Sequence, residues 1–270
     1  MDFLNISRKI YFLLGLKLFR QEPGVFFGFS KSKLAKLHNK YLGETCVIIG
    51  NGPSLNNIDF DILSNFKSFG VNGIFYKSDE IPEWRPDFYV VEDTAVMKEN
   101  IERIKEYDCS YKFFPSLYKT LHHKSRNVYW FNMNRGFYDE SSEWFEFPRF
   151  SPDSSRRVYC GQSVTIINLQ LAYYMGFKKV LLVGMDFNYE KVGNEIVKGH
   201  KLVSQSDDIN HFHPDYFGKG KTWHDPKIHN VYKSYELAKL IYEQNGREIV
   251  NCTVGGKLEL FRRSRLEDED

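Results

Sequence analysis

The chain has 270 residues, 42% of them hydrophobic and 16% aromatic, which is enough apolar material to bury an ordinary domain core and too much for a disordered chain. Its formal net charge of +2 is uneven: residues 1–40 hold eight lysines and arginines against Asp2 and Glu22. The remainder is slightly acidic and offers no basic run of the kind that a nucleic-acid surface needs, so nucleic acid is excluded as a partner. Cys46, Cys109, Cys160 and Cys252 lie far apart without CxxC spacing, mostly in or beside apolar runs. They read as free buried thiols of a cytoplasmic protein, not as a disulfide framework.

In chain order, the run Ile10 to Leu16 stops at Lys17, short of the ~20 apolar residues of a membrane span, and no small-residue cleavage site follows. Residues 1–40 read as a basic amphipathic helical extension. Arg8, Lys9, Lys17 and Arg20 flank the apolar run, so residues 1–20 fit peripheral contact with an anionic membrane, and equally a helix packed on the domain. From residue 45 the pattern is α/β, with short β-rich runs alternating with helix-length segments. The expectation is a mostly parallel sheet with helices on both faces, filling a domain over residues 41–262. The clearest strands are Cys46 to Ile49, Ser68 to Val71, Phe88 to Val91, Val128 to Phe131, Val180 to Val183 and Glu248 to Asn251. The clearest helices run from about Ser163 to Met175, with Gly176 as a left-handed cap, and from about Tyr232 to Gln244. Residues 132–160 resist assignment, and residues 190–228, rich in His, Asp, Gly and Lys, read as a lid insertion. Residues 263–270 read as a charged, solvated tail.

The strongest local signal is Val47-Ile-Ile-Gly-Asn-Gly-Pro-Ser-Leu, a buried strand running into Gly50, Asn51, Gly52, Pro53 and Ser54. The two glycines permit close approach and positive φ, Pro53 suits the start of a helical turn, and amides there attract an anion. The expectation is that a nucleotide-type phosphate rests on the backbone of Gly50 to Leu55; the alternative is a plain βα turn. The segment is neither a Walker loop nor a GxGxxG fingerprint. Asn72, in Gly70-Val-Asn-Gly, suits a ribose or sugar, as do Glu92 and Asp93 after the third strand, although turn and solvated-loop roles compete. Gly161, Gln162 and Ser163 open the best helix, with Ser163 as N-cap and the positive helix end turned to the same crevice. Gly184-Met-Asp-Phe-Asn-Tyr supplies Asp186, Asn188 and Tyr189. His211 and His213, near His200, His224 and His229, lack a convincing ligand set for a metal, so a general base is the better reading. Asp59-Phe-Asp61 reads as helix capping.

Taken in order, these motifs resemble the bacterial CMP-sialic-acid-dependent sialyltransferases of lipooligosaccharide synthesis and, more loosely, the motility accessory factor proteins and the MptE-like pterin diphosphokinases. The resemblance runs from about Cys46 to Arg262. It implies a Rossmann-like sheet with a lid, and inverting transfer of a nonulosonic sugar from a CMP donor to a hydroxyl of a glycan or lipid-linked acceptor. No cofactor is implied. It places Asn51 and its neighbours on the nucleotide, Asn72 on the donor phosphate or sugar, and Gly161 to Ser163 on the cytidine or carboxylate. Tyr189 or Tyr216 would support the leaving phosphate, and His211 or His213 would be the base. In that family two tyrosines follow the Asp-Phe turn; here the matching positions hold Asn188 and Asn194, with Tyr189 one step late. Two alternatives stay open: a diphosphokinase using ATP and Mg²⁺, with Asp186, Asp207, Asp208 and Asp215 as carboxylates, and a non-catalytic nucleotide-binding protein of polysaccharide synthesis. A homo-oligomer is compatible with each, and so is work at the inner face of the cytoplasmic membrane.

Overall fold

Short runs of β-branched and aromatic residues form the strands of this computed structural model, which describes residues 33–119, 121, 126–189, 196–198, 201–205, 207–223 and 227–269. The proposed membrane segment over residues 1–20, together with Asn194, His200 and His224, lies outside them. The strands are β1 (Thr45–Ile49), β2 (Lys67–Val71), β3 (Phe88–Val90), β4 (Tyr111–Pro115), β5 (Val128–Phe131), β6 (Met133–Asn134), β7 (Val158–Tyr159), β8 (Lys179–Val183), β9 (Ile196–Lys198), β10 (Lys201–Val203), β11 (Thr222–Trp223), β12 (Glu248–Asn251) and β13 (Arg262–Arg263). Eight of them make one parallel sheet in the order β13-β12-β8-β1-β2-β3-β4-β5. The helices are α1 (Phe60–Leu63), α2 (Phe75–Glu80), α3 (Thr94–Glu99), α4 (Ile101–Glu106), α5 (Val164–Met175) and α6 (Ile228–Gln244). With helices covering its faces the sheet is Rossmann-like, and Cys46 to Ile49 and Val180 to Val183 are fully buried, as strands of a doubly covered sheet must be.

Helix α5 obeys its sequence signals. The Ser163 hydroxyl accepts from Thr165 N, and Gly176 ends the helix at φ 95. Its buried Gln170 carries the stretch that resists assignment from sequence: Oε1 accepts from Ser151 N (3.0 Å) and Tyr159 N (2.9 Å), and Nε2 donates to Tyr159 O (2.8 Å). A side-chain amide thus anchors both ends of residues 151–159, of which only Val158 and Tyr159 pair regularly, with β6. Helix α6 begins at Ile228, about one turn before the expected start.

Two elements, one beside an edge of the sheet and one at the other edge, differ from the sequence reading. Strand β4 has a lysine inside and a proline at its end, so its pattern is broken. Lys112 is nevertheless buried, because Nζ donates to the carbonyls of Ile104 (3.1 Å) and Lys105 (2.9 Å) in the last turn of α4. The tail expected to be solvated is packed. Strand β13 pairs with β12, Leu266 is buried, and Glu269 pairs with both Lys179 (2.8 Å) and Arg262 (2.8 Å).

Candidate active site

The order of the sheet decides where a ligand can enter. After β1 the chain adds strands on one side, and β8, β12 and β13 fill the other. The crevice therefore opens beyond the carboxyl ends of β1 and β8, where the winding reverses. Their register sets Ile49 beside Val183, which brings the Gly50 loop against the Gly184 turn. A Cβ on Gly50 would lie 2.4 Å from Gly184 O, and one on Gly52 1.9 Å from Asp186 Oδ2. The glycines thus serve close approach. Gly52 has φ −69; the positive φ angles fall on Gly184 (67), Asn72 (46), Gln162 (69) and Phe187 (54).

This packing corrects the expectation that a phosphate rests on the glycine loop. Gly50 N donates to Val183 O (2.8 Å), Gly52 N to Gly184 O (3.0 Å) and Leu55 N to Gly52 O (3.0 Å). Ser54 donates to the Asp186 carboxylate through both N (3.2 Å) and Oγ (2.7 Å). The place an external anion would take at this turn is filled by the protein's own carboxylate.

The crevice, about 200 Å³, is lined by Gly50, Asn51, Gly52, Asn72, Asp93, Gln162, Ser163, Asp186, Asn188, Tyr189, His211 and Tyr216 among the residues singled out from sequence. Pro53, Ser54, Gly161 and His213 do not line it. A Cβ on Gly161 would meet Ser234 Oγ of α6 at 2.8 Å, so its role is close packing of the loop on that helix. Asp93 caps α3, accepting from Ala95 N (2.6 Å) and Val96 N (3.0 Å). The wall also includes Glu92, Met185, Phe187 and Tyr235, of which Glu92 and the Gly184-Met-Asp-Phe motif have a signal in the sequence and Tyr235 has none beyond its helix. Gln162 to Thr165 bring the positive end of α5 to the cavity. No lysine or arginine lines it among the described residues.

The lid is drawn onto this floor. Phe212 N donates to Asn51 O (2.9 Å), and Asn56 Nδ2 donates to Phe212 O (3.0 Å). Asn51 Nδ2 donates to Val71 O (3.0 Å) and to the Tyr216 hydroxyl (2.8 Å), which also accepts from Gly73 N (3.3 Å). Burial pushes the Tyr216 and Tyr235 hydroxyls above their ordinary values, so both are neutral donors.

The structure separates the two lid histidines. His213 stacks on Tyr76 with centroids 4.5 Å apart, and its Nδ1 accepts from Asp215 N (3.2 Å). His211 stacks on Tyr216 at 4.2 Å, and its Nδ1 lies 2.7 Å from Asp208 Oδ2. Asp208 also accepts from Asn210 N (2.9 Å) and Phe217 N (2.9 Å). Burial works against its charge, but the hydrogen bonds from His211, Asn210 and Phe217 outweigh it and hold the carboxyl below its ordinary value. An ionised Asp208 requires the proton on Nδ1, which leaves the lone pair of a neutral His211 on Nε2. Among the described residues no group of three or more histidines, cysteines or carboxylates gathers around a metal position, and no helix is long and apolar enough to cross a membrane.

Comparison with curated proteins and with solved structures gives no match. A family profile described as "6-hydroxymethylpterin diphosphokinase MptE-like" matches residues 26–192, more than half of the chain and the whole stretch from the glycine loop to the Asp186 turn. The chain belongs to the MptE-like family.

Proposed function

We propose that the protein is a cytoplasmic transferase that moves a nonulosonic sugar from a CMP donor to a hydroxyl of a surface-glycan acceptor, with His211 as general base. The observation that carries this reading is His211, which lines the crevice together with the amino end of α5 and is held through Nδ1 by Asp208 behind it. An imidazole oriented through Nδ1 takes a hydroxyl proton on Nε2, the step that any transfer to an alcohol needs. As the acceptor oxygen attacks the sugar carbon, the bond to the phosphate breaks and its electron pair leaves with CMP. The α5 end and the Tyr216 hydroxyl, which still has its own proton to give, stabilise that developing charge.

Charge favours this donor over a nucleoside triphosphate. A wall without lysine or arginine among the described residues, with Asp186 engaged by Ser54 and Asp93 by the α3 amides, suits a single phosphodiester, which a helix end and neutral hydroxyls can hold. The second reading is a diphosphokinase acting on a pterin-like alcohol, favoured by the family description. It needs ATP and Mg²⁺, and Asp93 and Asp186 would have to leave their present partners to hold the metal. Titration calorimetry with CMP, and with ATP in the presence and absence of Mg²⁺, tests the choice. Metal-independent CMP binding is expected; Mg²⁺-dependent ATP binding without CMP binding sinks the glycosyl reading.

A further inference from the structure

Two polar groups on the crevice wall have no hydrogen-bond partner among the described residues. Asn51 is 8% exposed, and its Oδ1 is buried without a hydrogen bond among the described residues. The Glu92 carboxyl likewise receives no hydrogen bond among them, although its main chain is fixed on both sides: N donates to Asn72 Oδ1 (3.4 Å), and O accepts from the Tyr118 hydroxyl (2.5 Å). A buried polar atom without a partner is costly, so the Asn51 amide oxygen has a ligand group to match it, and the half-buried Glu92 carboxyl lines the same wall.

We propose that Glu92 reads the base of the donor nucleotide, presenting a neutral carboxyl to an edge that sets a ring-nitrogen acceptor beside an exocyclic amine. Cytosine and adenine share that edge. The carboxyl O–H donates to the ring nitrogen and its carbonyl oxygen accepts from the amine. The inference rests on the nucleotide-donor reading, within which cytosine is the expected base. Withdrawal from water, then the charge of Asp93, push the Glu92 carboxyl up to about 7, with Arg135 pulling the other way. The other titratable groups around it are Tyr118, Tyr138 and Cys160, all pushed up by burial and therefore neutral in this range. An ionised Glu92 would instead match an edge with two donors, such as the ring N–H and 2-amino group of a pterin.

Calorimetry at pH 7.5, in two buffers that differ in ionisation enthalpy, tests the assignment with CMP, AMP and 6-hydroxymethylpterin as probes. CMP binding is expected to take up a proton and to weaken about tenfold per pH unit above the value of the free carboxyl. Glu92→Gln, whose amide offers the same donor and acceptor, should keep the affinity and lose the pH dependence. Glu92→Ala should lose affinity about tenfold or more, the worth of one or two hydrogen bonds. Uptake with AMP in place of CMP keeps the role of Glu92 and changes the base. Equal CMP affinity in wild type and Glu92→Ala without proton exchange overturns this inference alone, as does pterin binding with proton release. Failure of wild type to bind either nucleotide overturns the donor reading as well.

Discussion

His211 and His213 are two positions apart and would share a face on an extended strand, yet only His211 lines the crevice, because the chain bends through residues 209–213. His211 is stacked on Tyr216 and tied to Asp208, whereas His213 spends its ring on Tyr76. Replacing His211 with Ala should lower turnover by about 10² to 10⁴, with an unchanged circular dichroism spectrum. Asp208→Asn should fall in the same direction, since an amide can hold the wrong tautomer, and should also displace the pH–rate profile. His213→Ala should retain activity within a few-fold. A His213 variant as inactive as the His211 variant would refute the assignment.

Among the elements, the loop after β1 and the turn after β8 form one unit, because each supplies hydrogen-bond partners to the other and neither tolerates a side chain at the contact. Gly50→Ala would press a methyl group on the Gly184 carbonyl and should destabilise by about 1–3 kcal/mol, measured by denaturant unfolding. Ser163→Ala should cost about 1 kcal/mol through its lost cap. A neutral result for Gly50→Ala would show that the loops can part freely. The sequence made much of this legible: six apolar runs became strands of the central sheet, and Asp59, Ser163 and Gly176 cap where their types predict. Other features are invisible to local pattern, because their causes lie far off in the chain. Lys112 reads as a break in a strand until the carbonyls of α4 come to meet it. The glycine loop reads as an anion site until Asp186, 132 residues after Ser54, fills it. Asp208 cannot be told from Asp207 until the lid folds.

At the scale of the whole molecule, the C-terminal segment closes the sheet edge through charge. Partial burial disfavours an ionised Glu269, but hydrogen bonds from Arg262, Lys179 and Ser264 outweigh it and bring its carboxyl to about 2. A depressed folded-state value means that the stabilisation is complete above the ordinary carboxyl value of 4.5 and is lost as pH falls from there towards about 2. Glu269→Gln should therefore melt below wild type at neutral pH, and the gap should close across that acid window in thermal scans. A gap that stays constant with pH would remove charge as the cause.

One carboxylate orders the lid from within and aims the imidazole, because Asp208 receives both His211 and the lid amides. Its carboxyl, held below the ordinary value by those hydrogen bonds, stays charged in mild acid, so the ring keeps its bearing there. Stronger acid, which neutralises Asp208, loosens the turn within the lid and the aim of the ring together, while the bonds that join Phe212 and Tyr216 to Asn51 do not depend on that charge.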